Sequence, residues 1–410
     1  MARSLVLLLP FLLSVSLSYS ASDDRNNENN SLRNLGPRAT DQFQPALPFS
    51  TRGSDIIDAR GVPQKLISVN IPGANDRAHV IYGLDRISID EYARLVKEAG
   101  FNSVRMLFSN EMMKINTPVP TRFITENLEG PRNMANQNPL QIFKKSVEAF
   151  TDAGLMVILN NHSTDSYWCC SVDDGNEFWD SGQTTEEWIR DWETMAHLFH
   201  TNPYVIGADL RNELRAVVKE GRYPNWAGHV NEEEGLRFPY DPKNDWRIVA
   251  AQAADRLFKI RPDWLMVIGG LQFSNDLRGV RKAPLELTVP HKLVYSPHAY
   301  GFQKKTDYHD YWAFIVEDNK PYTAPLWLGE FGNGPVADEW WNSLIQLVRE
   351  KNISVAYWSM NAERFPNEQG VFEYQEESYG ILKKRVSAAG KVYWDLDLND
   401  YRIKDIQSLK

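Results

Sequence analysis

Cysteine is nearly absent: the chain of 410 residues holds two, and these are neighbours, Cys169 and Cys170. Adjacent cysteines cannot bridge distant segments, so no disulfide framework staples the fold and stability must come from a hydrophobic core. Two states stay open for the pair, a vicinal disulfide and two buried thiols. Positive charge is also in short supply, with 45 Lys and Arg against 54 Asp and Glu and a net charge of −9. A protein that neutralises phosphates or sits on an anionic membrane needs clustered Lys and Arg, so nucleic acid and anionic membrane surfaces are excluded as partners. After the first twenty residues no apolar run approaches the roughly 20 residues needed to cross a bilayer. His-Glu-x-x-His, Gly-x-Ser-x-Gly and a phosphate-loop lysine are all missing, which argues against a zinc protease, a serine esterase and a nucleotide site. His197 and His200 share a helical pattern and Asp173-Asp174-Gly175-Asn176 forms an acidic turn, but without further ligand pairs the former read as surface or packing residues and the latter as a solvated turn. No metal and no cofactor are expected.

What is present is ordinary globular material, 42% hydrophobic and 24% charged, with an aromatic share of 12% that includes 13 Trp. Flat indole faces suit core packing and equally suit the C–H faces of sugar rings. Residues 1–20 read as a signal peptide: a basic start at Arg3, an apolar run from Leu5 to Leu17, and small residues at Ser18 and Ser20. That address implies a secreted, extracellular protein, for which a cell wall or comparable space is a suitable setting. Residues 21–47 are polar and carry too little apolar surface to fold alone, so they read as a flexible lead-in. The remaining span, 48–410, is long enough for one (β/α)8 barrel with insertions. An opening hairpin turning on Arg60-Gly61 caps it, and a short extension closes it.

Through that span short apolar strands alternate with amphipathic helices. Ser88-x-x-Glu91 and Thr184-x-x-Glu187 are capping boxes, and Asn138-Pro139 opens a third helix. Strands are expected at 66–70, 103–107, 155–160, 205–210, 265–269, 293–296, 326–329 and 354–358, and further helices at 245–260, 308–316, 338–351 and 379–386. The stretch 272–290 shows no clear helix. Eight strand–helix units with right-handed crossovers favour a closed barrel over an open sheet.

In such a barrel the chemistry sits at the C-terminal ends of the strands. Those ends carry Asn70, Arg105, Asn161-His162, Arg211-Asn212-Glu213, His298 and Tyr300, Glu330, and Trp358. Glu213 and Glu330 end the fourth and seventh strands and face each other across one mouth. Glycosidic cleavage needs such a pair, one protonated to release the leaving oxygen and one ionised to attack or to activate water.

The strings Leu210-Arg211-Asn212-Glu213, Val294-Tyr295-Ser296-Pro297-His298-Ala299-Tyr300, Trp327-Leu328-Gly329-Glu330-Phe331-Gly332 and Ala356-Tyr357-Trp358 together resemble glycoside hydrolase family 5, the cellulase and mannanase family, from about residue 48 to 386. The resemblance implies a retaining β-glycoside hydrolase with Glu213 as acid/base and Glu330 as nucleophile. It further implies Arg105, His162, Asn212, His298, Tyr300 and Trp358 as substrate-binding or orienting residues. Leu214 departs from the proline that follows the acid in many members. Trp168 and Trp179, in loops at the mouth, are candidate platforms for outer sugar units, with Trp226 a further loop aromatic. The expected substrate is a β-linked polysaccharide or oligosaccharide, β-1,4-glucan first, with β-mannan and a smaller β-glucoside or glycolipid as alternatives. The rival from another class is a catalytically inactive carbohydrate-binding barrel. A monomer is expected.

Overall fold

The computed structural model describes residues 45–229, 240–303, 307–366 and 370–410, and 45–410 form one compact unit. The expected signal peptide and most of the polar lead-in lie outside the described residues.

Three short strands come first, β1 (Ser50–Arg52), β2 (Asp55–Ile57) and β3 (Pro63–Gln64), paired antiparallel in that order. The turn between β2 and β3 is organised by Asp58, whose carboxylate accepts the backbone N–H groups of Ala46, Arg60 and Val62. Gly61 takes the positive φ of 78° that a side chain would resist.

The barrel strands follow: β4 (Ile67–Ile71), β5 (Ser103–Ser109), β6 (Met156–Ser163), β7 (Val205–Asp209), β8 (Leu265–Gly269), β9 (Leu293–Ser296), β10 (His298–Tyr300), β11 (Trp327–Gly332) and β12 (Ser354–Tyr357). All are parallel, in the order β10-β11-β12-β4-β5-β6-β7-β8-β9. β9 and β10 are two halves of one barrel strand broken at Pro297, which has no N–H to give to a ladder. A bridge from Tyr295 to Leu326 and a bond from Gly329 N–H to the Pro297 carbonyl join the last edge to the first. The eight expected barrel strands are therefore present, and the sheet is a (β/α)8 barrel.

The main helices are α1 (Ile89–Glu98), α2 (Asn110–Lys114), α3 (Pro139–Asp152), α4 (Thr185–Leu198), α5 (Trp246–Phe258), α6 (Leu271–Ser274), α7 (Tyr308–Tyr311), α8 (Glu339–Glu350) and α9 (Tyr401–Gln407). Ser88 caps α1, and full capping boxes at Asn138/Gln141 and Thr184/Glu187 open α3 and α4. The helix expected over 308–316 is only α7 followed by a 3-10 turn at Ala313–Val316. As the sequence suggested, 272–290 has no long helix: α6 is one turn, with Gln272 and Phe273 at positive φ.

One element is of the other type. The helix expected over 379–386 is a strand, β15 (Leu382–Val386), paired antiparallel with β16 (Val392–Leu396) after a small hairpin of β13 (Glu363–Arg364) and β14 (Gln375–Glu376). The chain reverses at 387–391, where Gly390 takes φ 79° and Ser387 N–H meets the Lys391 carbonyl at 2.9 Å. Trp394 on β16 is fully buried against Tyr92 of α1 and gives the hairpin its anchor.

The core has two parts that matter for the site. At the N-terminal end of the barrel, Met156, Ile158, Ile206, Leu265, Val267 and Trp327 pack with Phe49, just before β1, and Ile56 of β2 and close that end with apolar atoms. At the other end the interior turns polar, which is where the chemistry gathers.

Candidate active site

The strands deliver polar residues to one layer, most from at or beyond their C-terminal ends, but Arg105, expected at the end of its strand, is the third of the seven residues of β5 and gets there by the length of its side chain. Parallel register sets Asn70 beside Arg105, Asn160 beside Asp209 and His298 beside Glu330. Arg105, fully buried, reaches across the interior and spends its donors on four acceptors: Asp209 Oδ2 at 2.8 Å, Asn70 Oδ1 at 2.9 Å, Asn212 Oδ1 at 2.8 Å and Glu330 Oε1 at 2.5 Å. Burial alone works against its charge, but the carboxylates of Asp209 and Glu330 outweigh it and raise its pKa. Asn70 in turn gives its amide hydrogens to the carbonyls of Gly329, Ala356 and Tyr357, fastening Arg105 to the strands that carry Glu330 and Trp358.

Glu330 also accepts from the Tyr300 hydroxyl at 2.9 Å through Oε2. Burial, then the Glu330 charge, pushes the Tyr300 phenol well above its ordinary range, so it stays a donor. Gly329 precedes the carboxylate because there is no space for more: an added Cβ would collide with Ser296 Oγ and lie 3.2 Å from His298 Nε2.

Glu213 lies four residues beyond the end of β7, in a left-handed conformation, φ 42°, rare for a residue with a side chain. Its carbonyl is held by Arg215 Nη1 at 2.9 Å, and Arg215 is itself locked to Asp174. Leu214 buries its side chain and offers its carbonyl to Phe273 N–H at 3.0 Å. His298 Nδ1 stands 2.8 Å from Glu213 Oε1 and 3.7 Å from Glu330 Oε2. One oxygen of each glutamate and a His298 nitrogen lie within 4.8 Å of one another.

The surroundings of the two carboxyls differ. Burial pushes Glu213 up to about 7, against the pull of Arg215 and Arg105. Burial raises Glu330 as well, and Arg105 offsets only part of that rise. The charge that adds to the rise of Glu213 is that of Asp174, and burial is the larger cause. His298 is pushed down to about 4 by burial, so it is neutral near pH 7. Burial, then Arg105, holds His162 well below its usual value too. His162 Nδ1 faces Asn160 Oδ1 at 2.9 Å, an oxygen that only accepts, so the proton sits on Nδ1 and Nε2 is an acceptor facing Asn212 Nδ2 at 3.5 Å.

Above this layer opens a cavity of about 590 Å³ bordered by Glu213, Glu330, Asn212, Trp358, Tyr300 and Trp168. Trp358 lies stacked with His162, ring centroids 5.8 Å apart, and meets Trp168 edge to face at 5.6 Å. The eight residues expected from the resemblance, Arg105, His162, Asn212, Glu213, His298, Tyr300, Glu330 and Trp358, are thus brought together.

Others are not. Trp179, a candidate platform, is fully buried, stacks on Trp246 at 5.3 Å and donates its indole N–H to Thr185, so it is a strut under the loop. Trp226 is buried with its N–H on the Ala283 carbonyl. Trp168 remains at the cavity. Arg211 turns away from the mouth to bond Asn161, Thr164 and the Asn176 carbonyl. His200 Nδ1 bonds the His197 carbonyl on the exposed end of α4, and Asp174 of the acidic turn is taken up by Arg215 and Tyr167. Asp209, Asn160 and Arg215 were missed by sequence reasoning. The signal for Asp209 was available, since it is the one ionisable group in the apolar run of β7.

Cys169 and Cys170 form a vicinal disulfide that borders the cavity.

A closed parallel barrel whose polar mouth holds a facing pair of buried carboxyls, a buried guanidinium, neutral histidines and a flat indole is the arrangement of a glycan-cleaving barrel enzyme. Comparison with known proteins makes this specific. Residues 58–364 match the family Cellulase (glycosyl hydrolase family 5), and the chain belongs to that family of glycoside hydrolases. Its relatives include an endoglucanase of Paenibacillus polymyxa, 27% identical over 76% of this chain and 79% of the relative. A glycosyl hydrolase 5 family protein of Chamaecyparis obtusa is 29% identical over 82% of this chain; the match spans 63% of that relative's length. Among solved structures, the catalytic domain of the major endoglucanase from Xanthomonas campestris pv. campestris aligns with a TM-score of 0.66 at 22% identity, covering 88% of this chain and 99% of that one. No helix among the described residues is long and apolar enough to cross a membrane.

Proposed function

We propose that the protein is a secreted, retaining endo-β-1,4-glucanase in which Glu213 is the acid/base and Glu330 the nucleophile. The observation that carries this is the pair itself: carboxyl oxygens within 4.8 Å across the mouth, in unlike surroundings. Retaining enzymes place their two carboxyls about 5–5.5 Å apart, whereas inverting ones leave room for a water between them. The choice of β-1,4-glucan rests on the endoglucanase relatives.

The glycone ring lies against Trp358 with its anomeric carbon facing Glu330. Arg105 and Tyr300 each engage one oxygen of Glu330, holding it ionised and aimed. Glu213, raised to about 7, carries the proton and gives it to the departing oxygen while Glu330 attacks, forming an α-linked glycosyl-enzyme. With the Glu330 charge consumed in the ester, Glu213 becomes the base that activates water, and the second inversion restores the β configuration. Asn212 is fixed through its Oδ1 by Arg105 and offers its amide to the 2-hydroxyl, a contact that strengthens in the oxocarbenium-like transition state. Neutral His298 spans both carboxyls and passes no net charge to either.

Secretion is supported by the signal-like first twenty residues. The test is hydrolysis of cellulose, mixed-linkage glucan, mannan and aryl β-glycosides by purified protein, with the anomer of the first product followed by NMR. Internal cuts in β-1,4-glucan with initial β product are expected. Initial α product overturns retention, and preference for mannan or for single aryl glucosides overturns the substrate.

A further inference from the structure

Both cysteines of the chain are used in one place, beside the acid/base. A bond between sequence neighbours closes almost no loop, so it removes little entropy from the unfolded chain and its effect must be local. A sulfur of each cysteine and a carboxyl oxygen of Glu213 lie within 4.8 Å of one another. The Asn212 amide is fixed at both ends: Oδ1 by Arg105 at 2.8 Å, and Nδ2 facing Cys170 Sγ at 3.5 Å, Cys169 Sγ at 3.7 Å and His162 Nε2 at 3.5 Å. The loop around the disulfide is pinned from both sides. Trp168 packs on Trp358, Arg215 Nε bonds the Ser171 carbonyl at 2.8 Å, and Asp174 takes both Arg215 and the Tyr167 hydroxyl.

We propose that the Cys169–Cys170 disulfide is a positioning group for catalysis: it walls the cleft beside Glu213, orients the Asn212 amide toward the sugar, and makes the oxidised pair the working state of the enzyme. The inference rests on the acid/base reading of Glu213. A disulfide is apolar, carries no charge at any pH and only accepts. Two thiols behave differently, for each brings an S–H donor and titrates near a pKa of about 8.5. Unbonded sulfurs also need more separation than bonded ones, and in a loop pinned at both ends that space is found in the cleft. A thiolate there repels the carboxylate form of Glu213 and so favours its protonated form. Reduction by a water-soluble phosphine balances simply: the phosphine becomes its oxide with oxygen from water, and two electrons and two protons arrive at the sulfurs.

The experiment uses the intact protein, oxidised, phosphine-reduced and reoxidised, with thiols counted by alkylation and mass. Turnover of cellotetraose and of an activated aryl β-cellobioside is measured from pH 4 to 9, with thermal unfolding as the folding control. Reduction is expected to lower kcat/KM on cellotetraose about tenfold, since displacements near 1 Å at a reacting group have effects of this order or larger. The loss on the aryl substrate is smaller, the basic limb moves to higher pH, and reoxidation restores all three. Cys169→Ala/Cys170→Ala should match the reduced enzyme on cellotetraose, ignore the phosphine and show no shift of the limb. Complete thiol titration with unchanged kinetics overturns the proposal, as does an equal loss on both substrates with a lowered unfolding midpoint. Glu213→Ala separates the two readings: if it turns over cellotetraose normally, the acid/base assignment has failed, whereas a disabled Glu213→Ala beside a phosphine-indifferent wild type removes the disulfide proposal alone.

Discussion

Arg105 Nε donates to Asp209 Oδ2 at 2.8 Å across the barrel interior, both side chains almost wholly buried. The same guanidinium holds Glu330, so Asp209 acts on the candidate nucleophile through Arg105 without touching the cleft. Removing one partner of a buried pair leaves the other charge uncompensated, at about 3–5 kcal/mol. Asp209→Ala should therefore unfold at lower urea by that order and lose kcat with little change in KM. Asp209→Asn should recover part of both, and an Asp209→Ala enzyme with normal stability and kcat would refute the linkage.

The two glutamates should part on chemical rescue. With an activated aryl β-glycoside, Glu213→Ala still forms the glycosyl-enzyme and then stalls, so a burst is expected, and azide accelerates it to the β-glycosyl azide. Glu330→Ala has no nucleophile, and azide in the vacated space gives the α-glycosyl azide. Opposite anomers support the assignment, swapped anomers exchange the roles, and one anomer from both variants removes the retaining mechanism.

Activity should decline as pH rises through about 7, because Glu213 loses its proton there. Its folded pKa is raised, so the sign for stability is the reverse of the usual carboxylate. Its stabilising contribution is whole below the unfolded pKa of about 4.3 and is lost as pH rises toward about 7. Glu213→Gln should gain stability relative to wild type across that window and hold the gain above it. Denaturation curves at pH 4 and pH 8 test this; a gain larger at pH 4 contradicts it.

Trp168 and Trp179 should behave as different kinds of residue. Trp168→Ala is expected to raise KM for polymer while scarcely affecting a small aryl glycoside, because outer subsites act only on long substrates. Trp179→Ala instead removes a buried indole, a loss of about 3–5 kcal/mol, and should show as a lower melting temperature with both substrates affected alike.

Dialysis against chelator should leave turnover unchanged, since two carboxyls suffice for the chemistry. Activity that falls and returns with one specific divalent ion would refute this.

Much of the barrel was legible because periodicity and capping are local. Ser88, Asn138 and Thr184 announce helices within four residues of sequence, and the apolar runs before His162, Glu213 and Glu330 are strands whichever neighbours they find. The hairpin of β15 and β16 was not legible, because Lys383, Lys384 and Arg385 tolerate either conformation and the decision came from a distant contact, Trp394 on Tyr92. The sorting of Trp168 from Trp179 failed for a related reason: exposure is a property of what packs above a residue.

The sequence by itself determined the order of strands, the residues at their ends and so the two glutamates, since each follows from a pattern a few residues long. Only the tertiary structure decided that Asp209 and Asn70 brace Arg105, that burial lifts Glu213, and that the paired cysteines stand against it. Those facts depend on lateral register and on water exclusion, which arise when strands far apart in the chain close into one ring.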